Sequence, residues 1–188
     1  MIVSVRGTNG SGKSTVVQGL LKVGSPVPLY GLLGPRMPEA YRLTLEGVEP
    51  PVFVLGPYHV ASGGLDQVQP YDLNLDLINK YAPKGHVVFE GVLVSSSYGR
   101  VGRLMEEHGQ NAVMAFLTTS LEQCISNVQK RRDARADARP FDPKNLTTKY
   151  NQIVSSKAKI REAGKLRVVD LEPLTALQQV LGLLKEKV

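Results

Sequence analysis

The segment Gly7-Thr8-Asn9-Gly10-Ser11-Gly12-Lys13-Ser14 constrains this chain more than any other part of it. It fits G-x-x-x-x-G-K-[ST] without exception, and its context fits too: the apolar run Ile2 to Val5 precedes it and helical spacing follows from Lys13. A strand that turns through glycines into a helix gives each part a mechanical use. The glycines let the backbone fold tightly, so that successive N–H groups point inward and form a concave anion site. The helix N-terminus adds positive potential. Lys13 is placed to reach β- and γ-phosphates, the Ser14 hydroxyl to ligate Mg²⁺, and Thr15 to touch an α-phosphate. Gly7, Thr8, Asn9, Gly10, Ser11, Gly12, Lys13, Ser14 and Thr15 are therefore the expected nucleotide-binding residues, with ATP and Mg²⁺ as expected cofactors.

The rest of the chain alternates strands with helices. Residues 25–38 hold four prolines and no hydrophobic period, which predicts a loop. Tyr41 to Leu45 alternates and Val52 to Leu55 is apolar, with a break from Gly47 to Pro51 between them. These predict a hairpin or two neighbouring strands. Further strands are predicted at 86–90, 112–117 and 166–171. Helices are predicted at 13–23, 70–81, 98–108, 119–132, 145–163 and 173–187, the fourth opened by a capping box of Thr119 and Glu122. The expectation is an α/β three-layer sandwich of the P-loop NTPase kind. It forms one domain over 1–188, with a mainly parallel five-stranded sheet flanked by helices and a lid at about 130–145.

Glu90 ends the strand Val87-Val88-Phe89 and so falls at the rim where such sheets bind ligands. It is a candidate to hold the metal with Ser14 or to accept a proton from an acceptor hydroxyl. Asp66 is its rival as general base. Tyr58, His59, Gly63, Gly64 and Asp66 follow the strand ending at Leu55 and form the candidate acceptor site, where an aromatic ring could stack on a base. At 130–139 the chain reads Lys-Arg-Arg-Asp-Ala-Arg-Ala-Asp-Ala-Arg. On a continuous helix Arg131, Arg135 and Arg139 share a face with Arg132 beside them, and no Arg–Asp pair has i,i+3 or i,i+4 spacing. That stripe is expected to meet phosphate, Arg131 and Arg135 in catalysis and Arg132 and Arg139 on the nucleotide.

Composition narrows the class. The single cysteine, Cys124, excludes an internal disulfide, and three scattered histidines argue against a His-rich metal site. No apolar run is long enough to span a bilayer, and the start lacks the features of a signal peptide, so a soluble cytoplasmic protein is expected. With 23 Lys and Arg against 17 Asp and Glu, the net charge of +6 permits a polyanionic partner. The Asn-Lys-x-Asp tetrad of guanine-binding domains is absent, as are the long insert and Asp-Glu pair of transporter ATPases.

The chain resembles small P-loop kinases of the nucleoside and nucleoside-monophosphate type. More narrowly, it resembles phage P-loop kinases that act on 5-hydroxymethyluracil in DNA. The narrower likeness lies in Val5-Arg6-Gly7-Thr8, Val54-Leu55-Gly56-Pro57-Tyr58, Gly63-Gly64-Leu65-Asp66 and Phe89-Glu90-Gly91, with the arginine lid and the Lys149-Tyr150 helix after it. The resemblance implies ATP-dependent phosphorylation of a base hydroxymethyl group in DNA, with modified DNA as the partner and no obligate protein partner. The phosphate-binding motif itself serves a free nucleoside or nucleotide kinase, or an ATPase without an acceptor, equally well.

Overall fold

The computed structural model describes residues 1–59, 63–96, 99–137 and 139–186. Seven strands form one sheet in the order β2-β3-β4-β5-β1-β6-β7. They are β1 (Ile2–Arg6), β2 (Val27–Leu29), β3 (Ala40–Leu45), β4 (Val48–Leu55), β5 (His86–Glu90), β6 (Ala112–Leu117) and β7 (Arg167–Leu171). Five of them, β4, β5, β1, β6 and β7, run parallel. The helices are α1 (Lys13–Val23), α2 (Leu73–Tyr81), α3 (Val92–Ser96), α4 (Gly99–Glu107), α5 (Leu121–Asp133), α6 (Lys144–Ala163) and α7 (Ala176–Lys185). None of them is long and apolar enough to cross a membrane among the described residues.

The central strands are buried on both faces, so they read as continuous apolar runs. Successive side chains go to opposite layers. Val87 and Phe89 join a core with Met114 and Phe116, beneath α2, α4 and α6, whereas Val88 joins Val3, Val5, Val113 and Ala115 beneath α1 and α7. The two cores make a three-layer molecule. Strand β1 lies between β5 and β6, so the strand order changes direction at it. In open α/β sheets that crevice, at the carboxyl ends of the strands, is where ligands bind.

The sheet therefore has seven strands where five were expected. The five parallel strands are all there, and the antiparallel pair β2–β3 extends the sheet beyond β4. Strand β2 lies inside the stretch predicted as loop. Its residues Val27-Pro28-Leu29 show no alternation because β2 is an edge strand whose side chains are not half-buried, and an edge tolerates proline. Strand β4 starts at Val48 and carries Pro50 and Pro51 where the β3–β4 register shifts between Leu43 and Leu45. Helix α3 was not predicted. The cap of α5 is Ser120 rather than Thr119: its hydroxyl accepts from the Gln123 backbone N–H at 3.2 Å. The predicted helix start at 98, the predicted helix end at 187 and residue 138 of the expected lid lie outside the described residues.

Candidate active site

The turn from β1 into α1 begins at the carboxyl end of the central strand. Inside it the Lys13 ammonium donates to the Thr8 carbonyl at 3.0 Å, and the side chain is buried. Burial pushes the Lys13 pKa down, and the nearby Glu90 carboxylate pulls it back up. The Thr8 and Ser11 hydroxyl oxygens are buried without a hydrogen-bond partner among the described residues. A buried polar loop with unmet donors fits a ligand rich in acceptors, such as a polyphosphate. A Cβ on Gly10 would lie 2.3 Å from the Cys124 carbonyl oxygen, so α5 reaches this loop only because residue 10 has no side chain.

Strand β5 sets Glu90 beside the loop. Its Oε1 accepts a hydrogen bond from the Ser14 hydroxyl at 2.8 Å. Burial raises the Glu90 pKa above the usual carboxylate value, while Lys13 and the Ser14 hydrogen bond hold the rise back. Two hard oxygen donors this close suit Mg²⁺, which binds through a few carboxylate or hydroxyl oxygens and keeps water on its other positions.

Asp66 also faces the cleft, but both of its oxygens are engaged. They accept the backbone N–H groups of Val92 and Leu93 at 2.7 and 3.0 Å, capping α3 immediately after Glu90. Gly64 closes the wall behind them. At φ +87° and ψ −170° it occupies a region used almost only by glycine, and a Cβ there would lie 2.7 Å from Glu90 Oε1. Gly64 thus admits the chain's own carboxylate to close approach, whereas Gly63 lies against the Pro57 carbonyl and the Tyr58 ring. Tyr58 packs edge-on against Tyr41, with ring centroids 6.2 Å apart, and its N–H donates to the Tyr41 hydroxyl. The Tyr58 hydroxyl is buried without a partner among the described residues, and burial raises its pKa well above the ordinary phenol value. His59 is exposed.

One cleft of about 580 Å³ joins Asn9, Gly10, Gly12, Lys13, Ser14 and Thr15 to Gly63, Asp66, Glu90, Arg131 and Arg135. Among the described residues, Tyr58, His59 and Gly64 do not line it. The expected four-arginine face is split in two, because α5 ends at Asp133 and Ala136 takes a left-handed φ of +51°. Arg131 and Arg135 face the cleft. Arg132 and Arg139 instead grip Asp137, at 3.1 and 2.8 Å, and Arg132 lies over the Phe141 ring. Asp137 is accordingly held far below the usual carboxylate range, first by its hydrogen bond to Arg139. Two of the four arginines therefore share one carboxylate, in contacts that helical spacing does not produce.

Three residues hold the loop in a role that the sequence does not show. Asn127 donates to the Gly10 carbonyl at 2.8 Å, and Thr119 donates to the Ser11 carbonyl at 2.7 Å. Ser95 accepts from the Gly7 N–H at 3.3 Å and donates to the Gly91 carbonyl. Each holds the loop by its backbone, through a contact distant in sequence. Gln18 and Gln67 also line the cleft.

A parallel sheet whose central strands end in a Gly-Lys-Ser loop and a facing acid is the arrangement of an α/β phosphotransferase. No family model matches the chain. A 5-hmdU DNA kinase of Pseudomonas phage PaMx11 is 30% identical over 186 residues, covering 98% of this chain and 97% of that protein. A 5-hmdU DNA kinase of Pseudomonas phage M6 is 26% identical, with 97% of each chain covered. A third, of Delftia phage PhiW-14, is 24% identical over 87% of this chain and 65% of its own length. The chain belongs to the family of phage 5-hmdU DNA kinases.

Proposed function

We propose that this protein is a P-loop kinase that transfers the γ-phosphoryl group of ATP to the hydroxymethyl group of 5-hydroxymethyluracil in phage DNA. The observation that carries the reading is the 2.8 Å hydrogen bond from Ser14 to Glu90, which couples the Lys13 loop to a strand-end carboxylate in one cleft. The family relationship supplies the acceptor.

The loop backbone and Lys13 hold the polyphosphate, and Ser14 and Glu90 hold Mg²⁺ through its oxygen shell. When bound, ATP supplies the phosphoryl group and Mg²⁺ the charge that offsets its oxygens. The cavity lined by Thr15, Val16, Thr118, Thr119 and Pro173 shares Gly12, Thr15 and Asn127 with the main cleft and takes the nucleoside part. Arg131 and Arg135 face the transferred group. The acceptor oxygen forms the new O–P bond, the bond to the leaving diphosphate breaks, and the hydroxyl proton passes to Glu90. Asp66 is a positioning residue in this scheme, because α3 already occupies both of its oxygens.

Transfer of label from γ-labelled ATP tests the reading, with hydroxymethyluracil DNA, ordinary DNA and a nucleoside panel as acceptors. Label should enter only the modified DNA. Lys13→Ala should lower transfer more than about 100-fold with the fold intact, since the developing charge loses its nearest fixed cation. A nucleoside phosphorylated better than the same base in an oligonucleotide would make the protein a metabolite kinase. Hydrolysis without transfer would make it an ATPase.

A further inference from the structure

Helix α6 carries five cations and a single acid, Glu162, yet the Lys13 cleft uses none of them. Its cations fall into two sets. On the flank toward β7, Lys157 and Arg161 share the Asp170 carboxylate, at 2.5 and 3.1 Å. The opposite flank borders a groove of about 730 Å³ lined by Lys149, Gln152, Ser156 and Lys159. Neither Lys149 nor Lys159 forms an ion pair among the described residues. The Ser156 hydroxyl oxygen is buried and has no hydrogen-bond partner among them. These four positions fall on one helical face, with the two lysines about 15 Å apart along the axis.

The groove also has a direction. Helix α6 leads into β7, whose first residue Arg167 pairs with Val113 at the start of β6, so the Lys159 end lies at the end of the sheet away from the cleft and the Lys149 end nearer to it. A strand that enters the groove at its Lys149 end therefore runs away from the cleft. Two unneutralised cations in line, with neutral donors between them, suit a repeating anion and not a single phosphate. We infer that the α6 groove is a track for the DNA strand flanking the target base, with Lys149 and Lys159 on backbone phosphates and Gln152 and Ser156 donating to phosphate or sugar oxygens.

The inference rests on DNA being the acceptor, but its test does not require transfer. Binding of a long single-stranded hydroxymethyluracil oligonucleotide is followed by fluorescence anisotropy over a salt series, beside a trinucleotide carrying the same base. In the double variant Lys149→Ala/Lys159→Ala, the slope of log K against log salt should flatten by about 1.4, at about 0.7 per phosphate on a single strand. Affinity for the trinucleotide should hold. Gln152→Glu, an exposed charge insertion, should weaken the long oligonucleotide selectively. The double variant Lys22→Ala/Lys185→Ala removes the same charge from exposed positions elsewhere and should leave the slope unchanged. An unaltered slope in the groove variant, or an equal loss in the control, overturns the track. Failure of the wild-type protein to label hydroxymethyluracil DNA overturns the acceptor assignment instead, and the binding slopes still decide the groove.

Discussion

Two carboxylates face the cleft, and their hydrogen bonds separate their roles. Glu90 accepts from one hydroxyl, whereas Asp66 accepts two backbone N–H groups and caps a helix. A proton acceptor must be ionised, and burial lifts the Glu90 pKa above its ordinary value of 4.5. The acid limb of the kcat/KM profile should therefore lie above that value. Glu90→Gln should abolish the limb and cut kcat by about 100-fold or more, with a smaller change in ATP affinity. Asp66→Asn should keep the limb and cost about 1 kcal/mol of stability through the weakened cap. A limb that survives Glu90→Gln and vanishes in Asp66→Asn would exchange the two roles. Stability has its own sign. The fold favours neutral Glu90, so this group's contribution is complete below the unfolded pKa and is lost as pH rises through the raised one.

At the scale of the element, what could be read from sequence was whatever the chemistry packs into contiguous residues. The phosphate-binding turn was legible because one eight-residue segment encodes its strand exit, its glycines and its cation. Glu90 was legible because an acid that ends an apolar run must sit at a strand tip. Asn127, Thr119 and Ser95 were not, since each reaches a loop atom 88 to 117 residues away and leaves no local pattern. The arginine stripe was misread for the opposite reason: i,i+4 arithmetic holds only while the helix lasts, and α5 stops at Asp133. Sequence also marked Gly64, but for a different purpose. Gly64→Ala should cost about 1–3 kcal/mol for the backbone region alone and displace Glu90, lowering kcat more than the stability loss explains. Thermal unfolding and kinetics on one preparation would check it, and normal turnover would show that the wall yields.

At the scale of the molecule, the cleft lies where β1 separates β5 from β6, so the chemistry is at the bottom of a recess and not on a face. A hydroxymethyl group on a stacked base projects into the major groove of a duplex and cannot reach that depth. The target nucleotide must leave the stack, at a cost of a few kcal/mol that a single strand largely avoids. Single-stranded hydroxymethyluracil DNA should therefore be at least as good an acceptor as duplex, measured as kcat/KM on matched oligonucleotides. A clear preference for duplex would mean that the enzyme reads the intact groove. The opposite end of the sheet is built differently. There the Met1 amino group bonds to His86, and Leu184, Lys185 and Glu186 close around the same spot. Both ends of the described chain thus emerge together, a full strand length from the cleft. A second module tethered at either end would lie away from the recess and beside the Lys159 end of the α6 groove.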